Sequence, residues 1–239
     1  MNNSVRCVLF VAICCVCMGT LVSCFKSNSN DPVQQLYIIG TLHKNAVGDV
    51  YFVQDDGITV KLDPDISPAD SLIGERFYVE GFFKDAAHAI PGYDYTMEAV
   101  AIVHMPILPI MSVTNAEESM QFGQDLYHIQ EEGLFITGHY LNAFIDVMTR
   151  DAQTKIQHTF ALVHNTYNAR LTDHGDTVYV ELRYNAAGDT GPYTLMALRA
   201  FELQPLIEAH PNLVLGVWYI PHNTTSTIKK LQYFPIVKK

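Results

Sequence analysis

Ser226-Thr227-Ile228-Lys229 has the spacing of the S-x-x-K motif, in which a lysine one helical turn on activates an acylating serine. That chemistry needs the serine at a helix start, with Ser-x-Asn and Lys-Thr-Gly companions. Here the four residues fall in an expected hairpin or strand near the C-terminus, without either companion, and the match reads as chance. G-x-S-x-G and H-E-x-x-H are both absent. His158 and His164 lie on one face of an expected strand, with Phe160 and Leu162 between them. Six residues of extended chain hold them ~20 Å apart, too far to share one metal, so they read as surface or edge histidines. Asp55-Asp56 and Glu131-Glu132 are candidate carboxylate pairs for acid–base work or calcium ligation. Strand neighbours point to opposite faces and both pairs adjoin a glycine, so solvated turn acids are the expectation. Asn185-Ala186-Ala187-Gly188-Asp189 is a polar loop whose Asn and Asp could bind a cation. The favoured reading has them fixing the turn through side-chain to backbone bonds. No catalytic residue, no metal ligand and no cofactor is assigned from these groups.

The cysteines point elsewhere. All five (Cys7, Cys14, Cys15, Cys17, Cys24) fall in the first 24 residues, where Arg6 is the only charge before Lys26. A basic start, an apolar run from Val8 to Val22 and a small residue at its end describe a signal peptide. The run is shorter than the ~20 apolar residues a membrane span needs. Leu21-Val22-Ser23-Cys24 resembles the bacterial lipobox. Residues 1–23 are therefore expected to be removed, leaving Cys24 as the lipid attachment site, with a thioether-linked diacylglycerol and a third acyl chain on the new amine; a plain signal peptide or an uncleaved anchor are the alternatives. Two or more chains suffice for stable anchoring. Residues 24–34, polar and without periodicity, read as a tether. Such a mature chain has no further thiol, which excludes disulfides, cysteine-ligated zinc and a cysteine nucleophile. Loss of Arg6 takes the formal charge from −10 to −11. That balance argues against nucleic acid and against electrostatic adhesion to anionic lipid.

From Leu36 onward short runs of period two, rich in Val, Ile, Tyr, Phe and Thr, are punctuated by Gly, Asp, Asn and Pro. Strands are expected at 36–42, 50–53, 58–62, 76–83 and 96–103, with a hairpin at Asp55-Asp56-Gly57. Five strands in that span suit an OB-type barrel; an SH3-like barrel or an open meander uses the same elements. Asn115 offers a helix N-cap followed by acids. Further strands at 134–138, 140–147, 158–163, 177–184, 195–203, 213–220 and 227–234 suit an Ig-like antiparallel β-sandwich. In 177–184, Val178, Val180, Leu182 and Tyr184 share one face, and Glu181 and Arg183 are expected in solvent. The resulting division is an OB-type barrel at 35–112 and a sandwich at 113–239. Thirteen Tyr and twelve Phe are a surplus. Tyr93-Asp94-Tyr95 follows Pro91-Gly92 in a loop, and Tyr37, Tyr51 and Tyr78 recur at strand positions. Aromatics on an OB-type face can stack on sugars or bases, but the core is their commoner place.

Tyr140-Leu141-Asn142, then residues 158–163 (HTFALV), then residues 182–189 (LRYNAAGD), in that order, resemble the NigD-like lipoproteins of Gram-negative gut and oral bacteria. Phe52-Val53-Gln54-Asp55-Asp56-Gly57 is similar to the D-D-G turn of that family's first domain, and Gly123-Gln124-Asp125 to the entry of its second. Tyr184 stands where the family often has His, and Ala200-Phe201 where Ser-Phe is usual. The resemblance implies an OB-type domain, a C-terminal β-sandwich and a lipoprotein signal. It also implies a loose link to bacteriocin production or immunity, and no catalytic motif. Phe25-Lys26-Ser27 is not the acidic run linked to surface export in related bacteria, which favours the periplasmic side of the outer membrane, with the surface face as the alternative. The expected function is non-catalytic binding of an envelope protein, a peptide or a glycan, with bacteriocin protection and an unrecognised hydrolase as the alternatives.

Overall fold

In a computed structural model of the protein, residues 35–150, 158–167, 173–189, 191–221 and 229–236 are described, without the side chains of residues 35, 130 and 131. The expected signal peptide, Cys24, the tether and Ser226-Thr227-Ile228 lie outside the described residues.

Strand β1 (Gln35–Lys44) is covered on both sides at its centre, Ile38–Ile39. Ile38 faces the interior of a small barrel, and Ile39 faces the second half of the chain. A strand sandwiched in this way reads as an apolar run, which is why Tyr37-Ile38-Ile39 lacks polar alternation. β1 pairs antiparallel with β2 (Val50–Gln54) and with β4 (Arg76–Phe83). β3 (Thr59–Leu62) pairs with β2, and runs parallel to β5 (Tyr95–His104), which returns to β4. The order β1-β2-β3-β5-β4 closes on itself, a five-stranded OB-type barrel. Leu42, Phe52, Val60, Phe77, Val79 and Met97 fill it. Closure bends β4 at Gly81, where its register with β5 shifts. A Cβ there would sit 2.2 Å from the Glu98 carbonyl oxygen, so only glycine fits.

The chain then passes through Met105-Pro106 into β6 (Ile107–Leu108) and β7 (Ile110–Val113), one strand for each of two facing sheets. Helix α1 (Ala116–Met120) follows, with the Asn115 side chain capping Glu118 N–H as expected. Next come β8 (Tyr127–Thr137), β9 (Tyr140–Thr149), β10 (Thr159–Asn165), β11 (Thr177–Asn185) and β12 (Tyr193–Glu202). Helix α2 (Gln204–Ala209), β13 (Val214–Tyr219) and β14 (Lys230–Pro235) complete the chain. The sheets are β14-β13-β11-β10-β7 and β6-β12-β9-β8, packed face to face over Ile129, Leu141, Ile145, Leu182, Phe201 and Leu215. The fold is all-β, a barrel followed by a sandwich. Its sheets are mixed, because β7 runs parallel to β10, β6 to β12 and β13 to β11.

Two expectations fail locally. Glu131-Glu132 is not in a turn: both lie inside β8, where its register with β9 slips between Ile129 and Leu134. Glu181 and Arg183 do not face solvent, each being 6% exposed. Gly123 and α1 cover them: Arg183 donates to Ser119 Oγ at 3.2 Å and to the Gly123 carbonyl at 3.4 Å, and pairs with Glu181 at 2.6 Å. Burial lowers the Arg183 pKa from its ordinary value.

The barrel and the four-stranded sheet share one apolar cluster of Ile39, Met105, Leu198 and Ala200, flanked by Tyr78, Phe135 and Phe144. Tyr78 and Phe135 both stand edge-on to Phe144, at 5.7 and 5.6 Å. Beside this cluster Arg76, fully buried, forks onto Asp55 (Nη1 to Oδ1 2.7 Å, Nη2 to Oδ2 2.5 Å). It also donates to Thr137 Oγ1 (2.9 Å) and Asn142 Oδ1 (3.2 Å), with its guanidinium 4.4 Å from the Tyr140 ring centre. Asp55 belongs to the barrel, and Thr137, Tyr140 and Asn142 to the sandwich. Asp55, 13% exposed, is therefore a clamp between modules, not a solvated turn acid. Asp56 is the turn acid, accepting from Ile58 N–H at 3.1 Å.

Candidate functional site

The barrel carries an open cleft of about 360 Å³ at one end, over β2 and β3. Two loops wall it. The 45–49 loop is shaped by Asn45, whose Oδ1 accepts from Val47 N–H (3.1 Å) and Asp49 N–H (2.9 Å) while Gly48 takes a positive φ. Asn45 Nδ2 then donates to Asp49 Oδ2 at 3.2 Å, turning both side chains into the cleft. The 84–94 loop is pinned by Asp94, whose Oδ2 accepts from Thr59 N–H (2.8 Å) and Thr59 hydroxyl (2.7 Å). Those bonds, the backbone one foremost, hold the Asp94 carboxyl below its usual range. Pro91 and Gly92 turn this loop so that Tyr93 faces Tyr51, ring centres 5.4 Å apart and planes at 50°. Lys61, 5% exposed, lies 5.7 Å from the centre of the Tyr93 ring. Its ammonium donates to the Val50 carbonyl (3.0 Å) and pairs with Asp65 (2.7 Å). Tyr93 Oη is 3.5 Å from Asp49 Oδ2. Burial raises the Tyr93 pKa, the Asp49 charge adds to this, and Lys61 opposes it, so the phenol stays protonated.

This arrangement offers hydrogen-bonding groups beside a packed pair of aromatic rings. Its hydroxyl–carboxylate pair, Thr59 with Asp94, serves as the loop pin, the same Asp94 oxygen also accepting from Thr59 N–H. The cleft volume lies within the ~300–1,000 Å³ of small-molecule sites, and on an OB-type barrel the strand 2–3 face with these two loops is the ligand-binding side. Of the aromatics singled out in the sequence, only Tyr51 and Tyr93 line it. Tyr95 packs on Phe83 at 5.3 Å, and Tyr37 stacks on Tyr78 at 5.4 Å on the junction side. Asn45, Asp49 and Thr59 were not legible as site residues from sequence. The signal that would have found them is the OB-type order itself.

The other candidates are dispersed. His158 and His164 do not act together, and neither is a free surface histidine. His164 Nε2 lies 3.0 Å from Asp173. His158 Nε2 lies 3.1 Å from Asp189 Oδ2, and its Nδ1 is 2.9 Å from the Tyr184 hydroxyl. With Nε2–H given to Asp189, Nδ1 is left to accept from Tyr184. An Asp–His–hydroxyl chain is the order of acid–base relays. Here Tyr184 is 1% exposed, and burial, with the charges of Asp125 and Asp189, pushes it up to about 12. Asp189 also accepts from Thr149 Oγ1 (2.7 Å) and Arg150 N–H (2.8 Å), so the group ties the ends of β9, β10 and β11 together. The Thr149 bond, then those from Arg150 and His158, keeps Asp189 below the usual carboxylate range. Asp189 thus bonds across strands instead of within its own turn, while Asn185 does cap that turn through Ala187 N–H at 2.8 Å. Lys229, the described member of the S-x-x-K match, pairs with buried Glu181. Glu132 is exposed, and the Glu131 side chain lies outside the described residues. No three His, Cys, Asp or Glu side chains among the described residues are grouped to hold a metal ion.

These features define a class: a two-module all-β protein whose open polar-aromatic cleft sits on the barrel. Residues 109–218 match the NigD-like C-terminal beta sandwich domain, and over that span the chain is similar to the NigD-like family. No curated protein matches the chain in sequence. Solved structures share its fold, among them the following three. A protein of unknown function from Bacteroides vulgatus is 19% identical, with a TM-score of 0.65 over 86% of this chain and 92% of its own. A NigD-like immunity protein from Bacteroides caccae is 13% identical, with a TM-score of 0.58 over 87% and 99%. A Bacteroides fragilis protein provisionally named a lipoprotein is 11% identical, with a TM-score of 0.56 over 86% and 99%. At these identities the likeness is one of fold.

Proposed function

We propose that the protein is a lipid-anchored, non-catalytic binding module of the bacterial envelope, held at the periplasmic face of the outer membrane through Cys24 and taking its ligand in the barrel cleft. The observation that carries the binding role is the cleft itself, on which Tyr51, Tyr93, Asn45 and Asp49 converge. The anchor rests on Leu21-Val22-Ser23-Cys24 and on the lipoprotein name of one structural neighbour. No helix among the described residues is long and apolar enough to cross a membrane. Immobilised protein should retain an envelope component that the Tyr93→Ala variant loses; equal retention by both, or none by either, would sink the reading. For the anchor, Cys24→Ala should abolish acyl labelling and release the protein from outer-membrane fractions.

A second reading draws on the family and on the neighbour described as an immunity protein: protection against a bacteriocin at the cell surface. Deleting the gene should then sensitise cells to a bacteriocin encoded beside it, and unchanged killing curves would remove this reading.

A further inference from the structure

The cleft's chemistry narrows the ligand, on the footing that the cleft binds one at all. Its rim is acidic: Asp49 and Asp94 stand at the two loops, and the nearby cation, Lys61, is already matched by Asp65. An anionic ligand, whether a phosphodiester backbone, a phosphorylated lipid headgroup or an acidic sugar, would meet that charge, and Lys61 is already engaged. An extended peptide adding as a strand needs a free sheet edge, and the barrel is closed. What remains complementary is a flat, uncharged, hydroxyl-rich ring. Tyr93 and Tyr51 supply an aromatic surface for its C–H face. The carboxylate of Asp49 accepts from hydroxyls, and the amide of Asn45 both donates and accepts. Both groups are pre-set by bonds within the 45–49 loop, which limits the ordering cost of binding.

We propose that this cleft is a binding site for neutral oligosaccharides, one sugar ring lying against the Tyr51–Tyr93 pair with its hydroxyls on Asn45 and Asp49. The test uses the full-length protein in detergent on arrays of neutral glycans, acidic glycans, oligonucleotides and peptides, followed by calorimetric titration of the neutral glycan retained. Neutral oligosaccharides alone should bind. Tyr93→Ala should weaken them about tenfold, Tyr93→Phe should keep the stacking, and Tyr95→Ala, outside the cleft, should change nothing. Asp49→Asn should weaken neutral glycans and relax the exclusion of acidic ones. Blank neutral arrays beside a Tyr93-dependent envelope component would overturn the sugar assignment and leave the binding module standing. Blank arrays with no envelope retention at all would remove both. Neutral binding indifferent to Tyr93→Ala would move the site off this cleft.

Discussion

Asp55 and Asp56 are adjacent, identical in type and opposite in role. Asp55 forks with fully buried Arg76, while Asp56 holds an exposed turn. Removing one partner of a buried pair strands the other charge, at a cost of about 3–5 kcal/mol. Arg76→Met should therefore lower stability by about that much in urea unfolding, and Asp55→Ala/Arg76→Met should recover part of the loss. Asp56→Ala should cost no more than about 1 kcal/mol, one exposed hydrogen bond. Equal effects at 55 and 56 would contradict the clamp. Asp189 makes a pH prediction. Its folded-state pKa is depressed, chiefly by Thr149, so its contribution is whole above the ordinary carboxylate value of about 4. That contribution drains away as pH falls through the lower folded-state pKa. The stability gap between wild type and Asp189→Asn should be constant near neutral pH and shrink on acidification below about pH 4; a gap that widens there would reverse the assignment.

At the scale of elements, α1 shows what a short helix can do. Asn115 caps Glu118 N–H at 2.9 Å, and Glu118 reaches back to Thr114 N–H at 2.8 Å, which with the Thr114 hydroxyl holds the Glu118 carboxyl below its usual range. The helix so fixed supplies the Ser119 hydroxyl to Arg183. Asn115→Ala should cost about 1 kcal/mol and speed amide exchange at 116–123, whereas Asn115→Asp should do neither. Unchanged exchange in the alanine variant would mean that packing, not the cap, holds the helix. The cap was readable because its signal spans four consecutive residues, as were the barrel strands and the Asp55-Asp56-Gly57 hairpin. The burial of Glu181 and Arg183 was not. Period two separates two faces of β11 but says nothing of what covers the second one, and α1 arrives from some sixty residues away. Glu131-Glu132-Gly133 misled for a related reason: a register slip inside a strand and a true turn draw on the same residues. The resembling motifs Gly123-Gln124-Asp125 and 182–189 proved to be one contact, since Asp125 accepts from Ala186 N–H at 2.7 Å and a Cβ on Gly123 would meet the Tyr184 carbonyl oxygen at 2.6 Å.

At the scale of the molecule, the site was half legible. Tyr51 and Tyr93 stood out by type, but they come from a strand and a loop some forty residues apart. Only barrel closure, which lays β5 beside β3, brings the 84–94 loop over β2. The same topology carries the last prediction. Barrel and sandwich form one compact unit over Gln35–Lys239, sharing the Ile39–Met105–Leu198 cluster and the Arg76 clamp. Loss of either module would leave a buried guanidinium and a set of apolar side chains in water, so neither should unfold first. Trp218, the single tryptophan, lies in β13 and reports the sandwich by fluorescence, while amide exchange at 50–62 reports the barrel. The two should give the same urea midpoint. Leu198→Ala, truncating a side chain 3% exposed at the junction, should lower stability by about 2–5 kcal/mol and let the barrel amides open before Trp218 responds. Barrel amides that open first in the wild-type protein would show the modules to be independent, and the cleft would then ride on a barrel free to reorient on the sandwich.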